Sequence, residues 1–316
     1  MQLPISADEI ASIQGGKHKA ALLWHGGGDW VAAVNKGASD RFKELGVAVV
    51  ATADAQYDPA KQANDIETAL ALQPSAILTL LLDPVQGAAA LGPAVDKGVK
   101  VVLLSNPAKG FSAGKEYVGI VTDDIRGMGM AAAEMMADAL GGKGEIGFIF
   151  HDANYFITNG RDNTFRATIE QRFPGIAIVD AKGFTAEPQT QELAAAMIQQ
   201  HPGIKGVYVA WDVAAEGVVE ALRAAGRSDV KVVTFDLGAS NAVDMAKGGS
   251  FYGTVADMPY EIGQAMATLA GYGILGKQAP PFSTVGLIKV TRENLADGWK
   301  ASLRRDLPEQ VQGLLQ

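Results

Sequence analysis

From Lys19 onward, short runs of β-branched and leucine residues alternate with longer stretches in which Ala, Lys and Glu recur at helical spacing. Apolar runs without polar alternation fit strands covered on both faces, and the helices between them are the crossovers that a parallel sheet requires. The pattern predicts strands at Ala20–Trp24, Val47–Thr52, Ala76–Leu82, Val101–Ser105 and Tyr117–Val121, with helices at Trp30–Leu45, Pro59–Leu72 and Val85–Lys97 between the first four. Asp58 before Pro59 reads as an N-cap followed by a first-turn proline, and Gly46 and Gly98 stand where a helix stop needs a residue free to take positive φ. A second run opens with helix Asp124–Leu140 and continues through strands Glu145–Phe150, Ile176–Ala181, Gly206–Ala210 and Val230–Phe235, alternating with helices Asn159–Phe173, Glu187–His201 and Asp212–Ala225. Helix Ser240–Lys247, strand Phe251–Asp257, helix Met258–Leu275, a turn at Pro280-Pro281, strand Gly286–Val290 and helix Arg292–Arg304 complete the chain. Two doubly wound α/β halves of similar length predict two similar lobes. No Pro/Gly/Ser linker divides them, so the chain is expected to cross between lobes more than once.

At 316 residues the chain is longer than one hydrophobic core supports, which agrees with two lobes. A formal charge of -8 is the wrong sign for a nucleic-acid or anionic-membrane partner. Zero Cys removes disulfides, zinc–thiolate sites, iron–sulfur clusters and thiol catalysis. The opening MQLPISADEIASIQGG lacks a basic region followed by an apolar one, so a secretory leader is either absent from the natural protein or missing from this sequence.

Catalytic strings fail on context. Gly26-Gly27-Gly28 follows a strand and precedes a helix, but the third glycine of the dinucleotide fingerprint would fall at Val31. Lys143 lacks phosphate-loop spacing and a following Ser or Thr. Gly110-Phe111-Ser112-Ala113-Gly114 matches GxSxG, yet it leads into a strand where a nucleophile elbow leads into a helix, and so it reads as a surface loop. The four histidines are scattered and form no zinc motif. No cofactor or metal is expected.

Ligands of open α/β sheets bind beyond the carboxyl ends of the strands. In this chain those positions carry Trp24, His25 and Trp30, then Asp83, Asn106 and Asp123 in the first half. In the second they carry His151, Asp152 and Asn154, then Asn159, Arg161, Trp211, Asp212, Asp236 and Asp257. Carboxylates, amides and a guanidinium can saturate the hydroxyls of a small polyol or sugar, while indole faces cover its C–H faces. Arg161 near a helix start opposes the macrodipole, which favours a specific partner for it over helix propensity. A strand-end Trp serves a core equally well, and an Asp there often caps a helix, the leading alternative for Asp212 and Asp124.

The matching stretches are Val34-Asn35-Lys36-Gly37-Ala38, Asp58-Pro59-Ala60-Lys61-Gln62, Thr122-Asp123-Asp124, Gly160-Arg161-Asp162-Asn163-Thr164-Phe165, His201-Pro202, Ala221 to Gly226, Val232 to Asp236 and Thr254 to Pro259. In that joint order, from about Ala20 to Val290, the chain resembles the ribose-type periplasmic sugar-binding proteins, the substrate-binding components of ABC importers. The resemblance implies a type I periplasmic binding protein fold: two Rossmann-like doubly wound lobes joined by a multi-strand hinge, with sugar enclosed in the interlobe cleft. One lobe would take residues 18–122 and 258–284, the other 123–257 and 285–303, with terminal extensions at 1–17 and 304–316. By position, Trp30 is similar to the aromatic that stacks on the sugar, Arg161 to the arginine that forks onto ring oxygen and hydroxyl, and Asp236 to the carboxylate that grips vicinal hydroxyls. Trp211 stands where the family usually has Asn, and Asp257 where it usually has Gln. Trp24 replaces a small polar residue, Gly28 an amide, and Ser105-Asn106 an Asp-Arg pair, changes that disfavour ribose itself.

The implied activity is non-catalytic binding of a monosaccharide, amino sugar or polyol and its delivery to ABC permease membrane subunits. The implied setting is a periplasmic monomer, its signal peptide removed. A sugar-sensing regulator of lac-repressor type would need a helix-turn-helix headpiece ahead of the first strand, and a sugar-acting enzyme would need a base, nucleophile or phosphate loop.

Overall fold

The computed structural model describes residues 3–315, so residues 1, 2 and 316 of the expected terminal extensions lie outside the described residues. These residues form two compact units, one running through Asp123 and resuming at Met258–Val285, the other comprising Asp124–Asp257 and the chain from Gly286 onward. The chain therefore passes from unit to unit after Asp123, after Asp257 and after Val285.

The first unit begins with helix α1 (Ala7–Gly15), then β1 (Lys19–Trp24), α2 (Asp29–Glu44), β2 (Ala48–Asp54), α3 (Pro59–Leu70), β3 (Ala76–Thr79), α4 (Pro84–Asp96), β4 (Lys100–Leu104) and β5 (Gly119–Thr122). The second contains α5 (Ile125–Leu140), β6 (Gly144–His151), α6 (Phe156–Arg172), β7 (Ile176–Phe184), a 3-10 turn at Glu187–Gln189, α7 (Thr190–Gln200), β8 (Ile204–Val209), α8 (Asp212–Ala224), β9 (Lys231–Phe235), α9 (Ala239–Ala246) and β10 (Phe251–Asp257). Helix α10 (Pro259–Leu275) and strand β11 (Phe282–Thr284) return to the first unit, and β12 (Leu287–Thr291), α11 (Leu295–Leu303) and α12 (Glu309–Leu315) to the second.

Each unit is built on one six-stranded sheet, in the order β2-β1-β3-β4-β5-β11 and β7-β6-β8-β9-β10-β12. The two orders are the same, and only β12 runs antiparallel to its neighbour. In each sheet the order reverses beside the first strand, between β1 and β3 and between β6 and β8, which is where doubly wound sheets open a crevice.

Leu23, Ile77, Leu103 and Ile120 of the first sheet bury one face against Ile66 and Leu91 of α3 and α4. In the second unit Met128 and Met136 of α5 share a core with Phe148, Tyr208, Phe235 and Phe165. Helices α2 and α10 touch backbone to backbone. A methyl on Gly37 would fall 2.0 Å from the Tyr260 carbonyl oxygen, and one on Gly263 would fall 2.0 Å from that of Val34, so only glycine permits this approach.

The local signals hold at several ends: Asp58 accepts from the amides of Ala60 and Lys61, Asp124 caps α5 through Gly127, and Gly46 and Gly98 take φ of 68° and 76°. Strand β3 stops at Thr79 because the Gln62 amide takes over the next backbone groups, donating to Leu80 O at 2.7 Å and accepting from Leu82 N at 3.0 Å. Strand β7 runs on to Phe184 because it pairs with β6 as far as His151. Helix α6 starts at Phe156, so Asn159 lies within it, and the stretch from Glu187 splits into a 3-10 turn and α7. Tyr117 is outside β5 and bridges Ala113 across the GxSxG loop, whose tip is exposed. The short β11 was not expected, nor were α1 and α12, whose Ile13 and Val311 are buried.

Candidate functional site

In the first unit, the ends of β1, β3 and β4 carry Trp24 and His25, Asp83, and Asn106. Trp24 is buried, and its indole N–H donates to Asn35 Oδ1 at 3.0 Å, so its polar edge is engaged with α2. His25 is also buried, with the edge of Trp30 6.2 Å from its ring and Tyr57 5.4 Å away on another side. Burial pushes the His25 imidazole down to about 4 against the opposing pull of the Asp54 carboxylate, so it is neutral at physiological pH and keeps one donor and one acceptor nitrogen. His25 Nδ1 and Asn106 Oδ1 are buried and meet no hydrogen-bond partner among the described residues, while Asn106 Nδ2 donates to Leu81 O at 2.8 Å. Asp83 is the N-cap of α4: its Oδ1 accepts from Val85 N and Gln86 N at 2.8 and 2.7 Å, so one carboxylate oxygen is committed to the helix. Asp123 is buried directly after β5.

The second unit concentrates more chemistry. Arg161, one turn into α6, is 5% exposed; its NH1 lies 3.3 Å from Asp236 Oδ1, and its guanidinium stacks over the Phe235 ring at 4.7 Å. Asp236 directly follows β9 in the left-handed region at φ 68°, and Ser105, directly after β4, sits at φ 55°. Non-glycine residues hold this conformation only where their surroundings dictate it, and such positions gather at functional sites. Burial raises the Asp236 carboxyl against the opposing charge and hydrogen bond of Arg161.

Asp212 is the first residue of α8, and the N-cap is Trp211, which makes no side-chain cap bond, so the alternative of Asp212 as the helix cap does not hold. Its carboxyl is raised well above the ordinary range by burial and by the negative charge of Asp236. Trp211 is fixed by its neighbours: the indole N–H donates to Glu187 Oε1 at 2.7 Å, and the ring packs edge-on to His151 at 5.0 Å and tilted on Phe184 at 4.8 Å. Because β6 and β8 flank the point where strand order reverses, His151 and Trp211 stand on its two sides. Asn159 is only half-buried and its Nδ2 donates to Ala153 O at 2.8 Å, closing the loop before α6. Asp257 is buried at the end of β10.

The structure thus brings Arg161, Asp236 and Asp212 together, joins Trp30 to His25, and gives Trp24, Asp83 and Asn159 local structural partners. Sequence reasoning missed Tyr57, Glu187 and Phe184. Tyr57 follows β2, a strand end left unread, whereas Glu187 reaches Trp211 only through a 3-10 turn that has no sequence signature here. Asp162 was also missed; it is buried beside Arg161 and accepts from Tyr208 Oη at 2.6 Å. Among the described residues no cluster of His, Cys, Asp and Glu is arranged to hold a metal ion.

Two doubly wound units with identical strand order, each presenting hydrogen-bonding side chains at its strand ends, define a two-domain binding protein of the periplasmic type. Residues 20–278 match the family model described as periplasmic binding protein domain, and the chain belongs to that family. It is 30% identical over 251 residues to the ribose import binding protein RbsB of Bacillus subtilis (strain 168), covering 77% of this chain and 76% of that protein. To the D-allose-binding periplasmic protein of Escherichia coli (strain K12) it is 26% identical over 274 residues, covering 83% and 88%. An ABC transporter solute-binding protein from Agrobacterium vitis, solved with alpha-D-tagatopyranose, shares the fold with a TM-score of 0.82 at 23% identity, covering 93% of this chain and 100% of that one.

Proposed function

We propose that this chain is the solute-binding component of an ABC-type sugar importer, acting outside the cytoplasm and delivering a monosaccharide, amino sugar or polyol to membrane permease subunits. The observation that carries the reading is the buried Arg161–Asp236 pair at the strand ends of the second unit, flanked by Asp212 and an immobilised Trp211. A guanidinium presents five N–H donors in a fixed fork and a carboxylate about four acceptor sites, the complementary chemistry that addresses the hydroxyls of a sugar ring. Trp211 offers an aromatic face for C–H contact. In the first unit Trp30 supplies a second aromatic, neutral His25 a ring nitrogen and Asn106 an acceptor oxygen that meet no partner among the described residues. Asp123 and Asp257, buried at strand ends, complete the proposed contacts. The relatives named for ribose and allose, and the tagatose-bound neighbour, support a sugar as the ligand class. Binding without turnover, as a monomer, is part of the same reading.

The test is a thermal-shift screen of the purified chain against pentoses, hexoses, ketohexoses, amino sugars, polyols, amino acids and nucleotides. A ligand bound only by the native state raises Tm by mass action. A rise confined to one sugar or polyol family supports the proposal, and a rise only with nucleotides or phosphosugars overturns it.

A further inference from the structure

Asp162 follows Arg161 on α6 but is turned inward, 4% exposed. Its Oδ1 accepts from the Tyr208 hydroxyl at 2.6 Å, and its Oδ2 accepts from the His151 backbone N–H at 3.1 Å. His151 ends β6 and Tyr208 is the penultimate residue of β8, so one carboxylate ties α6 to both strands that flank the reversal of strand order. Both ties lead to rim side chains. The His151 ring meets Trp211 at 5.0 Å and its Nδ1 lies 2.9 Å from Thr158 Oγ1, while the Tyr208 ring stacks on Phe165 at 4.0 Å and meets Phe235, the ring beneath Arg161, at 5.7 Å.

We propose that Asp162 is a positioning residue for the sugar-binding rim that acts through its carboxylate charge, so that sugar affinity falls on acidification as the acid holds α6 less firmly to the ends of β6 and β8. The proposal rests on the sugar-binding reading above. A carboxylate accepts from both converging donors; once it is protonated, the Tyr208 tie survives only if that hydroxyl turns from donor to acceptor, and both ties weaken from charge-assisted to neutral hydrogen bonds. Burial pushes the Asp162 carboxyl up to about 6, against the opposing hydrogen bonds from Tyr208 and His151 and the charges of Arg161 and Arg166. The other titratable groups around it are His151 on β6, held down by burial, Tyr208 on β8, held well above its ordinary value, and Asp236 after β9, which bears on Tyr208 and Arg161.

The test is a pH series from about 8 to 5 on the full chain, comparing wild type with Asp162→Asn and Tyr208→Phe in two readouts. Without sugar, tryptophan fluorescence, which includes Trp211 beside His151, is expected to change in wild type around the pH at which Asp162 takes up its proton, about 6, and to stay flat in Asp162→Asn. A transition that persists in Asp162→Asn belongs to His151 and overturns the proposal. With D-ribose, D-allose and D-tagatose as probes, the carboxylate population left at pH 5 is about a tenth, so Kd is expected to weaken by about threefold to tenfold in wild type and less than about twofold in Asp162→Asn. Tyr208→Phe, which keeps the ring but removes one tie, is expected to weaken binding at pH 8 and to move the pH response to higher pH, because the Tyr208 hydrogen bond holds the Asp162 carboxyl down. Binding of a probe with no such pH dependence overturns the role of Asp162 alone, whereas no binding of any probe at any pH overturns the sugar reading and the affinity claim with it.

Discussion

Replacing Arg161 with methionine removes the guanidinium while keeping most of the apolar stem over Phe235. In the wild type the two side chains of the Arg161–Asp236 pair are 7% and 13% exposed with 3.3 Å between them, so the variant leaves a largely buried carboxylate without its cation. Breaking such a pair costs roughly 3–5 kcal/mol, and the exposure of Asp236 and the length of the contact place the expected loss near the lower limit, about 3 kcal/mol at pH 7.5. The loss is pH-dependent with a definite sign. Burial already raises the Asp236 carboxyl and Arg161 opposes that rise, so in the variant it climbs further. An acid whose folded pKa lies above its unfolded one favours folding when protonated, and that contribution fades as pH rises through the folded pKa. The deficit should therefore shrink as pH is lowered from 7.5 towards 4.5. Urea unfolding at both pH values measures it, and the double variant Arg161→Met/Asp236→Asn, which removes the stranded charge, should recover about 2 kcal/mol at pH 7.5. Asparagine tolerates the left-handed conformation at position 236, so the rescue is not masked by backbone strain. A loss below about 0.5 kcal/mol at pH 7.5, or one equally large at pH 4.5, would refute the reasoning.

Glu187→Ala should free the Trp211 indole and weaken sugar binding by about 1 kcal/mol, close to fivefold, with Glu187→Gln within twofold of wild type because an acceptor for the N–H remains; calorimetric titration with the ligand found in the screen decides it. Gly37→Ala should destabilise the first unit by about 2 kcal/mol or more in urea unfolding, since the added methyl meets a backbone oxygen that cannot swing aside. His25 has a folded pKa of about 4, below its ordinary 6.5, so it contributes stability that is present above pH 6.5 and lost as pH falls towards 4. Relative to His25→Gln, wild type should therefore lose about 2–3 kcal/mol of stability between pH 7.5 and 4.5, and parallel pH profiles for the two proteins would count against a buried neutral imidazole.

The alternation of strands and helices was legible because each buried strand here is a short apolar run bounded by a cap, a proline or a glycine, and these signals are local. What escaped reading depends on partners distant in sequence. Strand β11 is only Phe282–Thr284, with two of its three residues exposed, and it exists because β5 offers an unpaired edge beside it. Helix α1 has the capping box Ser6/Glu9 in plain view, but its place is settled by Ile13 packing near Gly271 and by Tyr272 Oη donating to the Pro4 carbonyl. The early end of β3 likewise follows from a glutamine 18 residues upstream of Leu80, whose amide takes the place of a neighbouring strand.

The rule that ligands lie beyond strand ends picks out polar side chains without sorting them, as Asp83 and Asp212 demonstrate. Each is an aspartate at the start of a helix after a strand. Asp83 stands one residue before α4, where extended backbone lets its carboxylate fold back onto the Val85 and Gln86 amides. Asp212 stands one residue later relative to its helix, because Trp211 takes the extended cap position, and its carboxyl feels the negative charge of Asp236 and, more weakly, of Glu216 and Glu187, opposed by a backbone hydrogen bond at Val213. A shift of a single residue in helix register thus separates a structural cap from a carboxyl raised by its surroundings, below the precision with which sequence patterns fix a helix end. Arg161 and Asp162 present the same difficulty on one helix: adjacent positions point about 100° apart, so one reaches the rim and the other the floor beneath it. The residues that set the rim's geometry, Glu187 behind Trp211 and Asp162 beneath Arg161, are polar groups satisfied by long-range partners, and their roles emerge only when the strands that carry those partners are brought side by side.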